Sequence, residues 1–394
     1  MTSPHPTFSC HISGFSGALS SGNPLWHTPL AGTSTPEHDF SSSGVTIGDY
    51  FESVTTFLLQ GRPGPLKQGL AFHLHREVAL EELENIAVFL EKHGAFYHPA
   101  RVEVKLNANP TVLTFALNAA ISDRGLALIS TEYHCLEKLL PCPSLGSPLP
   151  AVFGLGKTSC QNGDIAFFLA HWFKDYQEFH ITDSQEGTEH IALWQSDGST
   201  VKMPRSYFFT IHDKAAEILT SFYTPHTFEQ IFPWHHAAGD FIVKETNGSM
   251  DVKLITVRGY GALFDIDKPP EKRNMEDIFQ GLVLFLVNLS LRMRIDRING
   301  TGRYHLVHSD AIKATLTGFF RALGHKTING CSHDDLQKKF CEFLVQFDSA
   351  DFKHILTLIL NAHPHPEMEE KLIQKKLDSH AKDLYHAICA MGKN

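Results

Sequence analysis

The stretch PWHHAAGDFIVKETNGSMDVKLITVRGYG at 233–261 constrains this chain more than any other. Asn247 and Gly248 stand between two runs rich in β-branched residues, Phe241–Lys244 and Val252–Val257, and Asn-Gly supplies the two positive-φ residues that a tight hairpin turn needs. The backbone therefore doubles back here. Ahead of the first run, Trp234, His235, His236 and Asp240 fall within seven residues. Between them stand Ala237, Ala238 and Gly239, small enough to let backbone or ligand come close. Such a cluster is either a tight corner whose imidazoles bond local carbonyls or a site.

At 394 residues the chain is long enough for two domains, and its hydrophobic content of 42% and charged content of 20% are those of a globular protein. A formal net charge of −9 without a long basic run argues against a protein that binds nucleic acid by neutralising phosphates. The most apolar run, Ile278–Leu291, falls short of the ~20 residues needed to span a bilayer and carries Gln280 and Asn288, so it reads as a buried helix. Seven cysteines, at 10, 135, 142, 160, 331, 341 and 389, lack metal-type spacing and read as reduced thiols. No basic segment followed by an apolar core opens the chain, so no signal peptide is expected. These features predict a soluble, cytoplasmic protein whose partner is a small molecule or another protein, with neither nucleic acid nor membrane. The 25 histidines are scattered, which favours surface composition over a metal centre.

Taken in order, residues 1–47 are rich in Ser, Thr, Pro and Gly and read as a disordered tail. Residues 48–93 read as a helical extension, with helices at Asp49–Leu59 and at Glu77–His93, where Leu80, Leu83, Ile86, Ala87 and Leu90 recur near helical spacing. Residues 94–173 form a sheet-rich lobe, with strands at Arg101–Leu106, Val112–Ser122, Leu149–Gly154 and Ile165–Ala170 and a helix near Ala127–Leu140. Residues 174–394 form a helical lobe. It opens with a polar irregular stretch to about residue 204 and contains the 233–261 hairpin. Helices are expected there at Ile211–Tyr223, Met275–Ile298, Ile312–Leu323, His333–Gln346, Asp351–Asn361 and Glu367–Met391. The class is α+β.

Strand, helix, strand, strand followed by a helical half entered through a polar loop and hairpin resembles the bilobal protein-kinase-like fold, in its aminoglycoside and choline phosphotransferase branch. TFALNAAIS at 114–122 and STEYHCLEKL at 130–139 resemble the strand and helix that carry that family's phosphate-binding lysine and its glutamate partner. Glu132 takes the glutamate position and Asn118 the lysine position. LPAVFG at 149–154 and AFFLAHWF at 166–173 resemble the strands leading to the hinge on which adenine rests, with Phe168 beside it. In the 233–261 stretch His235 falls where the family's catalytic aspartate stands and Asp240 where it has a metal-binding asparagine. Thr256 replaces its metal-binding aspartate. The resemblance implies a small antiparallel-sheet lobe, a mostly helical lobe, and ATP and magnesium as ligands, magnesium at Asp240.

Phosphoryl transfer rests on positioning and on neutralising charge, so Asn118 and Thr256 remove two of its main electrostatic contributions. The leading expectation is therefore a degenerate, pseudokinase-like protein of bacterial type that binds nucleotide weakly or not at all and acts through protein contacts. The alternative is an unorthodox ATP-dependent phosphotransferase with His235 as base and Asp240 on the metal. Lys105 would then reach in from the preceding strand and Arg258 would bind an anion; otherwise Lys105 is a solvated strand residue and Arg258 pairs with a carboxylate such as Glu132 or Asp251. A minor third reading, a metal-dependent hydrolase, takes His235, His236 and Asp240 as ligands with a further histidine from 93, 98, 171 or 180. GLGKTS at 154–159 lacks the first glycine of a nucleotide loop and is followed by a strand, so it is set aside. The aromatic segment Phe96–Pro99 suits covering a pocket or docking on the other lobe better than cradling phosphate.

Overall fold

The computed structural model describes residues 6–30, 44–91, 96–107, 109–183, 189–195, 199–235, 239–264, 268–300, 302–328, 333–362 and 366–391. The chain divides into two compact units, Met1–Lys174 and Asp175–Asn394, each with its own mixture of helices and sheet. The α+β class of the sequence reading holds.

The first unit is a six-stranded sheet with helices on both faces. Its elements are β1 (Thr7–Ile12), α1 (Ile47–Leu59), α2 (Pro65–Leu74), β2 (Leu83–Leu90), β3 (Ala100–Leu106), β4 (Asn109–Ala120), α3 (Asp123–Leu139), β5 (Val152–Cys160) and β6 (Gly163–His171). The strand order is β1-β2-β3-β4-β6-β5. Only the β1–β2 pairing is parallel; the others are antiparallel. Alternation along the strands sorts the side chains by face. Val102, Val104, Phe115, Leu117, Phe167 and Leu169 point to one side and share a core with Tyr50, Phe51, Phe57, Leu66 and Leu70 of α1 and α2. Phe168 points the other way and meets Tyr133 of α3, ring centroids 6.3 Å apart.

Two sequence expectations are corrected here. The segment expected as the helix Glu77–His93 contains β2: Ile86, Val88 and Leu90 alternate with Asn85, Ala87 and Phe89 at period two. Partial burial of the second set produced a nearly continuous apolar run that also fits helical spacing. The expected tail is folded in residues 6–30 and 44–47, where β1 pairs with β2, and Leu19, Leu30 and Val45 are buried. The rest of it, residues 1–5 and 31–43, lies outside the described residues. GLGKTS lies on β5. A Cβ on Gly156 would stand 2.3 Å from Gln60 Nε2 and under 3 Å from the Phe57 ring, so that glycine serves packing of the strand on α1.

The second unit begins with three strands where an irregular stretch was expected: β7 (Gln177–Asp183), β8 (Glu189–Trp194) and β9 (Thr200–Lys202). There follow α4 (Arg205–Ser221), β10 (Glu229–Ile231), β11 (Phe241–Thr246), β12 (Ser249–Leu254) and β13 (Tyr260–Ala262). The chain then continues through α5 (Met275–Arg292), β14 (Ile295–Arg297), β15 (Tyr304–Leu306), α6 (Asp310–Leu323), α7 (His333–Leu344), α8 (Ser349–Ala362) and α9 (Glu367–Met391). The β11–β12 hairpin forms as the sequence requires, with φ of 53° at Asn247 and 79° at Gly248. It extends a five-stranded sheet ordered β12-β11-β7-β8-β9.

The run Ile278–Leu291 is the core of α5, buried along most of its length. The helix starts at a capping box between Asn274 and Asp277. Helices α4 and α6 approach closely at Gly318, where a Cβ would meet the Asp213 carbonyl at 2.0 Å. Among the described residues no helix is long and apolar enough to cross a membrane. The described cysteines are free thiols.

Candidate functional site

In the second unit the loop before β11 brings together three of the expected residues. Trp234 is buried and packs edge-on against Phe241, centroids 6.2 Å apart, which fixes the loop to the start of β11. The Asp240 side chain, 1% exposed, receives three charge-assisted or backbone donors. Arg258 Nη2 donates to Oδ1 at 2.6 Å, Arg258 Nη1 to Oδ2 at 2.7 Å, and the His235 backbone N–H to Oδ2 at 2.7 Å. The Asp240 carbonyl also accepts from the Ile255 N–H at 2.7 Å, tying the loop to the strand that leads to Thr256 and Arg258. Arg258 therefore pairs with a carboxylate, as one of the two expectations had it, and that carboxylate is Asp240.

A bidentate guanidinium fork occupies both oxygens of this carboxylate. Magnesium coordination there would require Arg258 to leave. The same contact engages the donors through which Arg258 was expected to hold an anion.

His235 lies beside this pair, partly buried. Burial pulls its pKa below the ordinary histidine value; Asp240 and Glu369 oppose that shift, and Arg292 and Arg258 reinforce it. Burial thus favours the neutral imidazole. Glu369 and Arg292 form a second buried ion pair, in which Arg292 Nη1 donates to Glu369 Oε1. Arg292 also lies over the Phe232 ring, 5.5 Å from its centroid. His235 thus feels two ion pairs, Asp240–Arg258 at the base of the β11–β12 hairpin and Arg292–Glu369, which joins the end of α5 to the first turn of α9. Sequence reasoning missed the second. No local pattern in the sequence links Arg292 to Glu369, 77 residues away.

The first unit brings together three others. Asn118 on β4 lies directly opposite Phe168 on β6. On the same side Glu132 of α3, 1% exposed, accepts a 2.7 Å hydrogen bond from the Tyr97 hydroxyl. Tyr97 also meets the Phe168 ring edge-on, 6.5 Å between centroids. The aromatic segment before β3 is thus docked within its own unit. Gly125 permits that docking, since a Cβ there would stand 2.6 Å from the Phe96 carbonyl. Ser122 caps α3 by accepting from the Gly125 N–H at 3.1 Å.

Lys105 is placed elsewhere. It stands opposite Val112, six strand residues from Asn118, or about 20 Å at ~3.4 Å per residue. Its ammonium donates to Glu84 at 2.7 Å, with both side chains about half exposed. A lysine side chain does not bridge that distance, so Lys105 does not substitute for the lysine absent at Asn118.

Among the described residues no group of three or more His, Cys, Asp or Glu side chains is arranged to hold a metal ion. His236 and His93 lie outside them. The chain matches no protein-family model and no curated protein.

Proposed function

We propose that the chain is a kinase-like protein with a degenerate site that binds nucleotide weakly or not at all and acts through contacts with a protein partner. One observation carries this reading: both oxygens of Asp240, the carboxylate at the expected metal position, are held by Arg258 and a backbone N–H. A carboxylate so satisfied offers a cation little, because the cation must first break a buried ion pair. The neutral Asn118 adds no positive charge for phosphate. The fold supports the comparison in its order of elements. β4, α3, β5 and β6 follow as strand, helix, strand, strand, with Asn118 and Phe168 on adjacent strands and Glu132 on the intervening helix. The next unit reaches the β11–β12 hairpin through β7, β8 and β9, the helix α4 and β10.

A second reading, an unorthodox ATP-dependent phosphotransferase, draws on the neutral imidazole of His235 next to Asp240, since a neutral histidine accepts a hydroxyl proton. Calorimetric titration of ATP into the protein, with and without magnesium, separates the two. The expected result is no magnesium-dependent binding. Magnesium-dependent binding that disappears in Asp240→Asn would overturn the leading reading and favour the second.

A further inference from the structure

Two imidazoles meet in the first unit where α2 ends on the sheet. His73 stands in the last turn of α2, and the helix stops two residues later at His75, φ 53°. His171 is the last residue of β6, opposite Phe115 of β4, and its N–H donates to the Ala151 carbonyl at 2.8 Å. Gly69 brings the two together. It lies one helical turn before His73, and a Cβ there would stand 2.6 Å from the Phe115 ring, so the helix sits on the sheet at a distance that glycine permits.

Aromatic rings hold both imidazoles in place. Phe115 meets His73 edge-on, centroids 5.3 Å apart, and Phe173 meets His171 edge-on at 4.8 Å. Phe72 meets each of them edge-on, at 5.4 and 6.2 Å. Against this wall His73 Nε2 and His171 Nδ1 face each other 3.3 Å apart, with the ring centroids 5.1 Å apart. A straight N–H···N bond of that length would put the centroids about 5.6 Å apart, so the rings are turned off the line between their nitrogens and the hydrogen bond is long and bent. The spacing has a second meaning. Two imidazole nitrogens, each ~2.0–2.1 Å from one tetrahedral zinc ion, stand about 3.3–3.4 Å apart. Ring axes that converge symmetrically at the observed spacings meet about 2.1 Å beyond each nitrogen, which is a zinc–nitrogen bond length.

We propose that His73 and His171 form a chelating pair for a divalent transition-metal ion of the zinc class, which clamps the end of α2 to the end of β6 and keeps water in its other positions. Each ring presents the lone pair of its facing nitrogen to the ion and carries its proton on the other nitrogen, so two neutral rings lose no proton on binding. Burial, and then His75, pull His73 below the ordinary histidine value, which keeps that ring in the form a metal takes. A pair of nitrogen ligands suits zinc or copper; magnesium and calcium take oxygen. Both side chains are partly buried, so an ion reaches them from solvent. Among the described residues no third His, Cys, Asp or Glu completes a site. The ion is therefore exchangeable and held more weakly than in a four-ligand structural centre. Both residues belong to the first unit, so the site stands or falls separately from the reading of the Asp240 loop.

The test is titration of zinc chloride into the untagged, chelator-treated protein, with a chromophoric chelator as competitor, in the wild type, His73→Gln and His171→Gln. The wild type is expected to bind one equivalent of zinc that each variant binds at least about tenfold more weakly, the least that loss of a ligand costs when loss of a residue merely supporting one costs that much. A wild type that binds no zinc, or a loss confined to one variant or seen in neither, overturns the proposal. If the variants do not fold, imidazole nitrogen-15 NMR of the wild type decides it. Zinc that shifts the His73 Nε2 and His171 Nδ1 resonances together supports the chelate, and zinc that shifts one alone or neither refutes it.

Discussion

Replacing Arg258 by methionine keeps the apolar stem of the side chain and removes both guanidinium donors from Asp240, leaving a buried carboxylate with, among the described residues, the His235 N–H as its polar contact. Removing one partner of a buried ion pair costs about 3–5 kcal/mol, because the other charge stays behind without compensation. The Arg258 side chain keeps 20% exposure, so water reaches one side of the pair and the low end, about 3 kcal/mol, is expected. Two units that unfold in separate steps would blur a global melting curve. The change is better read locally, from exchange of the Val243 and Val252 amides in the β11–β12 hairpin. A loss of 3 kcal/mol is about a 150-fold loss of protection at 1.36 kcal/mol per tenfold. Adding Asp240→Asn should restore more than half of it, since the amide keeps an acceptor for His235 without a charge to bury. A single variant that loses less than about threefold protection would mean that water already satisfies Asp240. The carboxylate would then be free to take a cation, and the argument for a locked site would go with it.

Other consequences are open to similar tests. Lys105→Ala should change stability by less than about 1 kcal/mol, as an exposed ion pair allows, and leave any nucleotide binding untouched; altered binding would return Lys105 to the site. Gly300→Ala should cost clearly more than Gly248→Ala in thermal unfolding. Both have positive φ, 74° and 79°, a strain of about 1–2 kcal/mol. Only Gly300 has a neighbour in the way, the His180 ring at 2.4 Å, whereas Gly248 has nothing within 4 Å. Equal costs would show that the turn does not press on β7. His212, neutral and buried with a pKa near 4, contributes stability present above its unfolded value of 6.5 and lost as pH falls towards 4. In the Asp296→Asn background, which removes the opposing contribution of a carboxyl that burial pushes up to about 7, the urea midpoint of the second unit should therefore fall between pH 7 and 5. An unchanged midpoint would show that the imidazole is not desolvated.

Much of the helical part of the second unit was legible because its signals are local. Asn274 and Asp277 mark the start of α5, alternating charges mark α9, and Asn247–Gly248 fixes the hairpin whatever lies around it. The first unit was harder to read. β2 is partly covered on both faces, so its apolar run fits period two and period three and a half about equally well, and only pairing with β1 and β3 decides between them. β1 draws its stability from that pairing and not from its composition, which is why Ser- and Gly-rich surroundings hid it. At the site, proximity in sequence suggested His235 and Asp240 together. The partner of Arg258 is set by a tertiary contact across the hairpin, and Lys105 faced no positional test until the β3–β4 register was known.

The parallel pairing of β1 with β2 bears on how the sheet is made. Thr7 meets Asn85 and Ile12 meets Leu90, so β1 has no partner until nearly eighty further residues have left the ribosome. Closing so long a loop carries an entropic cost that local hairpins such as β3–β4 avoid, and it slows the step. Until β1 arrives, β2 presents a bare edge of unpaired N–H and C=O groups flanked by Ile86, Val88 and Leu90, the kind of edge that recruits a second copy of itself. A chain shortened past Ile12 should therefore associate with itself at concentrations where the full chain does not. β1 covers that edge of β2 and carries the Cys10–Leu19 bridge on its own outer side.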